Sequence, residues 1–494
     1  MRHMYMSNKS KGRNLTKTMI FFLIALAMTG CFSGDNKKDS SAPSNVSRLV
    51  AQEQQSTEAH YPGKDNENHP KVTVTSPIDE RYLEAQIRAL IAPEMAGRLP
   101  GTKGNQLAAA HIALEMEKIG LQVAKFGSDT KQNGYLVPFS MTLPIQKSAS
   151  DMTLVDEKGV PIKTFNFGSD YMYEISSPSV KIKGQIVGEM FLVEDYNSLK
   201  ELPEKAIALV ENEDVSEALL YGLSTSVDHL GAIVVVSERQ NSGEFLKPVY
   251  LYGNLRNTEA QGPLAYYVNR DTMNQLLEAQ ENGNRQLRVS TDVSIENISA
   301  DNVVGFLPGQ TDEGFIITGH FDHLGDSFNG DVYNGALDNA SGTASVLALA
   351  KSLKAQENRH YSYYFIALNG EEEGLLGAYS LAQKTLWDPE RFSVINFDMI
   401  GSTEKLPILV DSTRKISNLL QSDLLDHLGS EGFIAESSDM GFSDHAAFEE
   451  RGFAGALLIE FDERYYHTTN DTFENSLNVP HLAEILNAML TWLL

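Results

Sequence analysis

The sequence is poor in cysteine and in basic residues. Its 494 residues include a single cysteine, Cys31, so no disulfide can form within the chain. Lys and Arg number 40 against 66 Asp and Glu, and the net charge of -26 argues against nucleic acid as a partner, since nucleic-acid binding needs a basic surface. Hydrophobic residues make up 42% of the chain, which suffices for the packed cores of two or three domains. This composition is typical of an acidic enzyme or of a protein that binds cations.

Three common catalytic motifs are also missing. The chain has neither the H-E-x-x-H motif of single-zinc proteases nor the G-x-S-x-G turn of serine hydrolases. Ser443, Asp444 and His445 are consecutive, so their side chains cannot easily face one another as a catalytic triad, and we interpret them as a pocket loop. Segment 96–104, AGRLPGTKG, lacks both the Walker spacing and a preceding strand, and it predicts a turn that leads into a helix.

The N-terminus resembles a bacterial lipoprotein signal. Basic residues between positions 9 and 17 precede an apolar run, residues 19–28, that is too short to span a bilayer comfortably and is followed by Thr-Gly-Cys. The resemblance implies that Cys31 is lipidated after cleavage, and Phe32 directly after it is typical of lipoproteins sent to an outer membrane. The alternative is an uncleaved anchor or a plain secretory signal. We expect an exported protein that is lipid-anchored to the bacterial cell envelope, in the periplasm or at the cell surface.

Composition and pattern divide the chain into a leader, a tether and two folded parts. Residues 1–31 are the predicted signal peptide with its lipidated cysteine, and residues 32–76 are a predicted disordered tether, rich in Ser, Asn, Gln and charged side chains. Residues 77–149 and 287–494 are predicted to form the main domain. Residues 150–286 carry short strands and are predicted to form a smaller, mostly β domain inserted into it. The alternative is that these strands extend the main sheet.

The main domain is predicted to be a sheet with helices on both faces. Helical patterns occupy residues 79–93 and 104–120, and Gly120 is the expected C-terminal cap of the second. From residue 301 onward apolar strands alternate with helical patterns, as in βαβ units. The fold class is therefore α/β, with three layers. One helical interval, around residues 215–223, is predicted within the insert.

Potential metal ligands stand where five of the predicted strands end. They are His320, Asp338, the pair Glu371 and Glu372, Asp398, and His467, the last of which follows a strand predicted to end at Phe461. A single His or Asp at a strand end is usually solvated or capping. Ligands of open α/β sheets bind at the carboxyl ends of the strands, so five such turns in one sheet predict a common site.

The charges of these residues favour a metal centre. Two carboxylates about 4 Å apart repel by roughly 4 kcal/mol at an effective dielectric constant near 20. The segments that carry Asp338, Glu371, Glu372 and Asp398 contain no Lys or Arg to offset that repulsion. Two divalent cations would do so, and mixed His and carboxylate ligation favours zinc over calcium, which prefers ligands that are all oxygen.

The order of the motifs resembles a known family of enzymes. GHxDH, DNxSG, EExG, DMIG and HTxxDT follow one another as in the co-catalytic di-zinc exopeptidases typified by aminopeptidase Y, which are relatives of glutamate carboxypeptidase II. The resemblance covers roughly residues 77–494. The insert, with VDHLGAIVVVSE, resembles a protease-associated domain, and the SDH of residues 443–445 resembles a pocket segment of the family.

This resemblance implies a role for each candidate residue. Asp338 would bridge two zinc ions, with His320 and Asp398 completing one site and Glu372 and His467 completing the other. Glu371 would be the general base. Asp322 and His323 are predicted to orient ligands rather than to bind metal.

The three consecutive glutamates 371–373 follow an apolar strand. Asn369 is a reasonable N-cap for a helix beginning here, and acids are favoured in the first turn of a helix. Because the resemblance assigns Glu371 and Glu372 to chemistry, Glu373 is left as the acid of the first helical turn.

The predicted function is therefore that of a zinc-dependent aminopeptidase. A water activated by the two metals would attack a terminal peptide bond, Glu371 would transfer its proton to the leaving amine, and Tyr465 or Tyr466 would stabilise the oxyanion. The expected partners are peptide substrates. A carboxypeptidase or a glutaminyl cyclase of the same fold is the alternative, and a binding module that has lost activity is a weaker one, since all five ligands and the base are present.

Overall fold

The computed structural model describes residues 74–126, 132–175, 180–193, 195, 198–211, 227–237, 240–241, 244–245, 262–326, 330–357, 359–384, 387–441 and 443–494. The chain divides into two compact units, residues 1–58 and 59–494, and every described residue belongs to the second. The predicted signal peptide with Cys31, nearly all of the predicted tether and the predicted helix at 215–223 lie outside the described residues. None of the helices that are described is both long and apolar enough to cross a bilayer.

The two helices predicted near the start of the folded part are confirmed. Helix α1 is Glu80–Leu90, capped by the Asp79 carboxylate, and helix α2 is Lys103–Ile119, capped by the Thr102 hydroxyl. Gly120 ends α2 in the left-handed conformation, with φ 81°. Between the helices, the 3-10 turn Pro93–Arg98 leads into α2, as AGRLPGTKG predicted.

The insert is built mainly of strands. Two strands precede it, β1 (Gln122–Val123) and β2 (Leu136–Gln146). The described strands within it are β3 (Asp151–Val155), β4 (Pro161–Thr164), β5 (Tyr171–Tyr173), β6 (Lys183–Val193), β7 (Ile207–Val210), β8 (Ala232–Val236), β9 (Gln240–Asn241), β10 (Glu244–Phe245) and β11 (Leu264–Val268). Helix α3 is Arg270–Glu281, and a 3-10 turn occupies Ser198–Glu201. Strands β7 and β8 lie between two apolar clusters of the insert, one on each face.

A long strand, β12 (Gln286–Leu307), joins the insert to the main sheet. Its first part pairs with β3 and β6, and its second part pairs with β2 along Val293–Val303. The hydrogen-bonded pairing of the strands therefore makes the insert a continuation of the main sheet, which was the alternative to a separate domain. The strands of the insert nevertheless pack around apolar clusters of their own. The domain boundaries stay a prediction.

The rest of the chain alternates strands with helices. The strands are β13 (Gly314–His320), β14 (Ser362–Leu368), β15 (Phe392–Asp398), β16 (Ile408–Asp411), β17 (Ala435–Ser438) and β18 (Ala454–Ile459). The helices are α4 (Gly342–Ala355), α5 (Leu376–Ala382), α6 (Asn418–Ser430), α7 (His445–Glu449), α8 (Phe473–Ser476) and α9 (Val479–Leu493), with a π-type turn at Ala336–Ser341 and a 3-10 turn at Lys415–Ser417. Strand β18 ends at Ile459, two residues before the predicted end at Phe461.

The predicted three-layer α/β/α architecture is confirmed. The strand order of this part is β17-β16-β18-β15-β13-β14-β12, and β13, β14, β15 and β18 run parallel to one another. Along a strand, neighbouring side chains point to opposite faces. Phe315 and Ile317 accordingly belong to the cluster that α1, α2, α4, α6 and α9 cover, whereas Ile316 belongs to the cluster that α5 and α7 cover.

One local prediction is wrong. Helix α5 begins only at Leu376, so Glu373 is not in its first turn, and Asn369 does not cap it. The left-handed backbone of Gly374, with φ 97°, and of Leu375, with φ 60°, separates the glutamates from the helix. The side chain of Asn369 instead donates to Asn105 Oδ1 at 3.0 Å.

Candidate metal centre

The fold brings the predicted ligands to one edge of the sheet. His320 is the last residue of β13, Asp398 is the last of β15, and Glu371 and Glu372 lie three and four residues beyond the end of β14. Because β13 is hydrogen-bonded to both β14 and β15 in parallel, the carboxyl ends of the three strands are neighbours. Asp338 lies in the turn before α4, and His467 lies in the loop after β18.

One group of ligand atoms surrounds the imidazole of His320. Its Nε2 lies 3.3 Å from Asp398 Oδ1, 3.6 Å from Asp338 Oδ1 and 3.9 Å from Glu371 Oε2. His320, Asp338 and Asp398 are all buried, and their ligand atoms lie within 4.8 Å of one another.

A second group surrounds Glu372. Its Oε2 lies 2.9 Å from His467 Nε2, and the same nitrogen lies 3.5 Å from Asp338 Oδ2. Asp338 therefore turns one carboxylate oxygen toward each group. A carboxylate that bridges two metals must be placed in this way, so the geometry supports the role predicted for Asp338.

Zinc fits these residues. Within the described part of the chain, the buried atoms His320 Nε2, Asp338 Oδ2 and Asp398 Oδ1 have no hydrogen-bond partner. Each such atom costs about 1–3 kcal/mol if nothing satisfies it. Two ligands that each lie about 2.0 Å from a tetrahedral zinc are about 3.3 Å apart, which is close to the separations around His320 and His467. A cation held between these atoms would satisfy them and offset the repulsion of the acids.

Burial and mutual repulsion set the charge states of the acids. Burial raises the pKa of Asp338 well above its ordinary value, and the nearby charges of Glu372 and Asp398 raise it further. Burial also raises the pKa of Glu371 well above the ordinary value, although the charge of His320 opposes it. For Glu372, burial raises the pKa, but the charge of His467 and the hydrogen bonds from His323 and His467 outweigh burial and hold the pKa well below its ordinary value. Without a cation, these carboxylates therefore cannot all be ionised together at low cost.

Asp322 positions both glutamates. Its Oδ1 accepts the backbone N–H of Glu371 at 3.3 Å, and its Oδ2 accepts that of Glu372 at 3.2 Å. Asp322 is fully buried and lies 3.8 Å from His320 Nδ1. These contacts agree with the orienting role predicted for it.

Among the described residues, His323 is the further imidazole that belongs to the second group. Its Nδ1 lies 2.7 Å from Glu372 Oε1, and the buried atoms of His323, Asp338 and Glu372 lie within 4.8 Å of one another. Burial lowers the pKa of His323 to about 4, so the ring is neutral at neutral pH. A neutral ring that donates Nδ1–H to Glu372 leaves the other carboxylate oxygen directed at His467.

Tyr465 and Tyr466, between which the sequence could not choose as donor to the oxyanion, have different contacts in the structure. The ring of Tyr466 stacks on His467 with centroids 3.8 Å apart, and burial together with the acids of the site raises its pKa well above the ordinary value. The ring of Tyr465 lies beneath Arg464 instead. Of the two, Tyr466 is the one whose ring contacts a predicted ligand.

Ser443, Asp444 and His445 do not form a catalytic triad, as predicted. Ser443 Oγ donates to Asp398 Oδ2 at 2.7 Å, whereas His445 Nε2 pairs with Asp411 Oδ2 at 3.1 Å. Both carboxylate oxygens of the buried Asp444 lack a hydrogen-bond partner among the residues that the structure describes. Ser443 therefore supports a predicted ligand, which agrees with the interpretation of these residues as a pocket loop.

Arg98 is a residue beside the site that the pattern of acids and imidazoles in the sequence does not reveal. This fully buried side chain lies against the turns that carry His320 and Asp338. The feature of the sequence that could have indicated it is a lone arginine within the glycine-rich segment AGRLPGTKG.

Comparison with known proteins gives a consistent picture. Residues 302–493 match peptidase family M28. The chain is 26% identical to the aminopeptidase YwaD of Bacillus subtilis over 408 residues. This alignment covers 79% of this chain and 78% of YwaD.

Two solved structures share the fold. An aminopeptidase from Aneurinibacillus sp. strain AM-1 superposes with a TM-score of 0.61 at 18% identity, covering 84% of this chain and 93% of that one. BSAP, a zinc aminopeptidase from Bacillus subtilis, superposes with a TM-score of 0.61 at 18% identity, covering 84% of this chain and 95% of that one.

Proposed function

We propose that this chain, whose residues 302–493 match peptidase family M28, is a zinc-dependent metallo-aminopeptidase that removes N-terminal residues from peptides. The observation that carries the proposal is the convergence of three carboxylates and two imidazoles on two adjoining positions, with a further carboxylate, Glu371, beside them. The similarity to the aminopeptidase YwaD supports the direction of cleavage.

The five ligands would hold two zinc ions. His320 and Asp398 would bind the first, Glu372 and His467 the second, and Asp338 both. Bound zinc supplies a water of lowered pKa and polarises the scissile carbonyl. With three carboxylates against two divalent cations, the site keeps a residual positive charge, which favours the developing oxyanion.

Glu371 would act as the general base. Its carboxylate lies near the first group, 3.9 Å from His320 Nε2, yet Asp322 holds its backbone rather than its side chain. The side chain would accept a proton from the attacking water and donate it to the leaving amine. Tyr466, whose ring stacks on His467, would donate a hydrogen bond from its hydroxyl to the oxyanion.

We also propose that the chain is exported and anchored by a lipid at Cys31. The support is the sequence of residues 1–31 alone, in which a basic segment, a short apolar run and a cysteine follow one another. Metabolic labelling with a radioactive fatty acid, compared between the native chain and Cys31→Ser, would test it. Equal labelling of the two chains would contradict the anchor.

The substitution Glu371→Gln tests the proposed function. We expect the variant to retain zinc and to lose about 100- to 10,000-fold in kcat on an aminoacyl anilide, because a general base contributes about that much. Glu373→Gln, in the same turn, is the matched control and should retain activity within a few-fold. Full activity of Glu371→Gln would reject the assigned base.

A panel of dipeptides tests the direction of cleavage. An aminopeptidase should hydrolyse a dipeptide with a free N-terminus and a blocked C-terminus, and it should not hydrolyse the N-acetylated counterpart. The opposite preference would assign the chain to carboxypeptidases, and release of ammonia from an N-terminal glutamine without hydrolysis would assign it to glutaminyl cyclases.

A further inference from the structure

Arg98 is a buried cation whose hydrogen bonds all go to backbone carbonyls. Its side chain is fully buried, and its guanidinium donates to the carbonyl oxygens of Phe321 at 2.5 Å, Leu90 at 3.0 Å, Asn334 at 2.8 Å and Gly335 at 2.9 Å. Among the described residues it forms no direct ion pair. The planar guanidinium thus ties together three separate stretches of backbone.

Two of these stretches carry predicted metal ligands. Phe321 directly follows His320, and Asn334 and Gly335 begin the turn that reaches Asp338. A shift of either carbonyl would move the adjoining ligand. Leu90, at the end of α1, fixes the whole arrangement to the N-terminal helices.

Asp471 holds the same turn from its other side. Its carboxylate accepts the backbone N–H groups of Leu337 and Asp338, both at 2.9 Å, and the hydroxyl of Ser476 at 2.6 Å. The turn before α4 is therefore held by a cation on its carbonyls and by an anion on its amides. Arg98 belongs to the motif AGRLPGTKG and Asp471 to the motif HTTNDT. The ligand assignments use only His467 of these two motifs, so they do not explain the other residues.

The charge of Arg98 acts on the metal centre as well. Burial lowers the pKa of Arg98 to about 10, so the side chain stays protonated at neutral pH, and the acids that oppose this are, in order, Asp471, Asp322, Asp338 and Glu372. A buried guanidinium without a paired carboxylate is costly. Its position beside several acids compensates part of their repulsion when no metal is bound.

We propose that Arg98 and Asp471 are positioning residues that hold the His320 and Asp338 turns in ligand geometry before zinc binds. This inference rests on the metallo-aminopeptidase function proposed above. Neither side chain is one of the five assigned ligands, and both hold backbone groups of the turns that carry those ligands. Their effect is to lower the cost of assembling ligands that repel one another.

The test compares zinc affinity among variants of the full chain. Arg98→Lys keeps the charge but removes the forked geometry, Arg98→Met removes both, and Asp471→Asn removes the opposing anion. Arg88→Met is the matched control, because Arg88 is an exposed arginine of the same region that pairs with Glu84 and Glu474. Each purified protein is stripped of metal and titrated with zinc against a chromophoric chelator, and metal-free thermal unfolding is recorded in parallel.

We expect zinc affinity to fall roughly 10- to 100-fold in Arg98→Lys and in Asp471→Asn, as it does when residues behind metal ligands are removed elsewhere. The control should bind zinc like the native chain. Excess zinc should restore much of the activity of Arg98→Lys, since the ligands themselves are intact. If Arg98→Met does not fold, Arg98→Lys decides the question.

Two results would overturn the proposal. Zinc affinities of Arg98→Lys and Asp471→Asn within two-fold of the native value would do so, even if metal-free unfolding temperatures fell, because that pattern belongs to a purely structural role. An equal loss in Arg88→Met would also do so. The zinc titration needs no substrate, so a native chain that binds zinc but hydrolyses no aminoacyl substrate would reject the aminopeptidase function and leave this test valid.

Discussion

At the scale of single residues, Asp338 is the side chain on which both halves of the site depend. Its Oδ1 lies 3.6 Å from His320 Nε2 and its Oδ2 lies 3.5 Å from His467 Nε2. Asp398, in contrast, faces only the group around His320. The two acids should therefore differ in how many metals they control.

Replacing each acid by its amide tests this difference. We expect Asp338→Asn to lose zinc from both positions and Asp398→Asn to lose mainly one, since an amide is a poorer ligand than a carboxylate. Elemental analysis of the purified proteins gives the zinc content per chain. Equal zinc contents in the two variants would contradict the bridging role of Asp338.

Residue types and their order predict which acids and imidazoles come together at this edge of the sheet, whereas they do not reveal contacts between distant segments of the chain. His320, Asp398 and the two glutamates follow apolar strands, which is a local pattern. Arg98 acts on carbonyls more than two hundred positions away, and an arginine in a glycine-rich turn has no pattern that reveals this. The choice between Tyr465 and Tyr466 likewise depends on which ring packs against His467.

At the scale of elements, the close approach of α4 to the sheet places Asp338. A Cβ on Gly342 would lie 2.2 Å from the carbonyl oxygen of Phe397 in β15, and a Cβ on Gly319 in β13 would lie 2.9 Å from the backbone of Gly342. Only glycine therefore allows the start of the helix to contact both strands. The helix pattern predicted α4, but nothing in that pattern gives its distance from the sheet.

The substitution Gly342→Ala should push the start of α4 away from β15. We expect a loss of about 1–3 kcal/mol in the free energy of unfolding, which is typical of overpacking, together with weaker zinc binding as Asp338 moves. Gly429→Ala in α6 is the control, because its Cβ would meet nothing within 4 Å. Chemical denaturation measures the free energy of unfolding of both variants, and zinc titration measures their affinity for zinc. A Gly342→Ala variant with native stability and native zinc affinity would show that the backbone adjusts without moving Asp338.

The boundaries of α5 show where element prediction fails. Acids before an apolar pattern predicted a helix beginning at the glutamates, but Gly374 and Leu375 adopt left-handed conformations that delay its start to Leu376. Glycine can adopt the left-handed conformation but also others, so Gly374 in the sequence does not predict that the helix start is delayed. The delay leaves Glu371 and Glu372 on a turn rather than on a helix.

At the scale of the whole molecule, metal binding and stability should be coupled through pH. Burial raises the pKa of Asp322 and of Asp471 to about 6 in the metal-free fold, well above their ordinary value of 3.8. Between about pH 4 and pH 6 the folded state therefore holds protons that the unfolded state has released. Stability falls as pH rises through this window, because the folded state binds more protons than the unfolded state.

We expect the metal-free protein to unfold at a higher temperature near pH 5 than near pH 7. The pKa of His323, which burial lowers to about 4, acts in the opposite direction between about pH 4 and pH 6.5, and the lowered pKa of Glu372 does so below about pH 4.5. The raised pKa values of Asp338 and Glu371 act in the same direction as those of Asp322 and Asp471, and these four carboxyl groups together outweigh the single imidazole. Zinc should weaken or reverse the trend, since protons compete with the metal for its ligands. Thermal unfolding with and without zinc at both pH values measures this, and Asp471→Asn should flatten the metal-free dependence. A metal-free unfolding temperature that rises from pH 5 to pH 7 would contradict it.

The length of β12 also determines how the chain could be re-engineered. Gln146 of β2 stands directly opposite Val293 of β12, so these two positions are the natural ends of a hairpin. A two-residue Asn-Gly turn between them would excise everything in between and close the ladder without changing its register. Cutting instead at residues 150 and 286 would leave the first part of β12 as an unpaired overhang. A shortened peptidase built on the first splice would keep every residue assigned to zinc, and would be the simplest scaffold onto which a foreign module could be grafted.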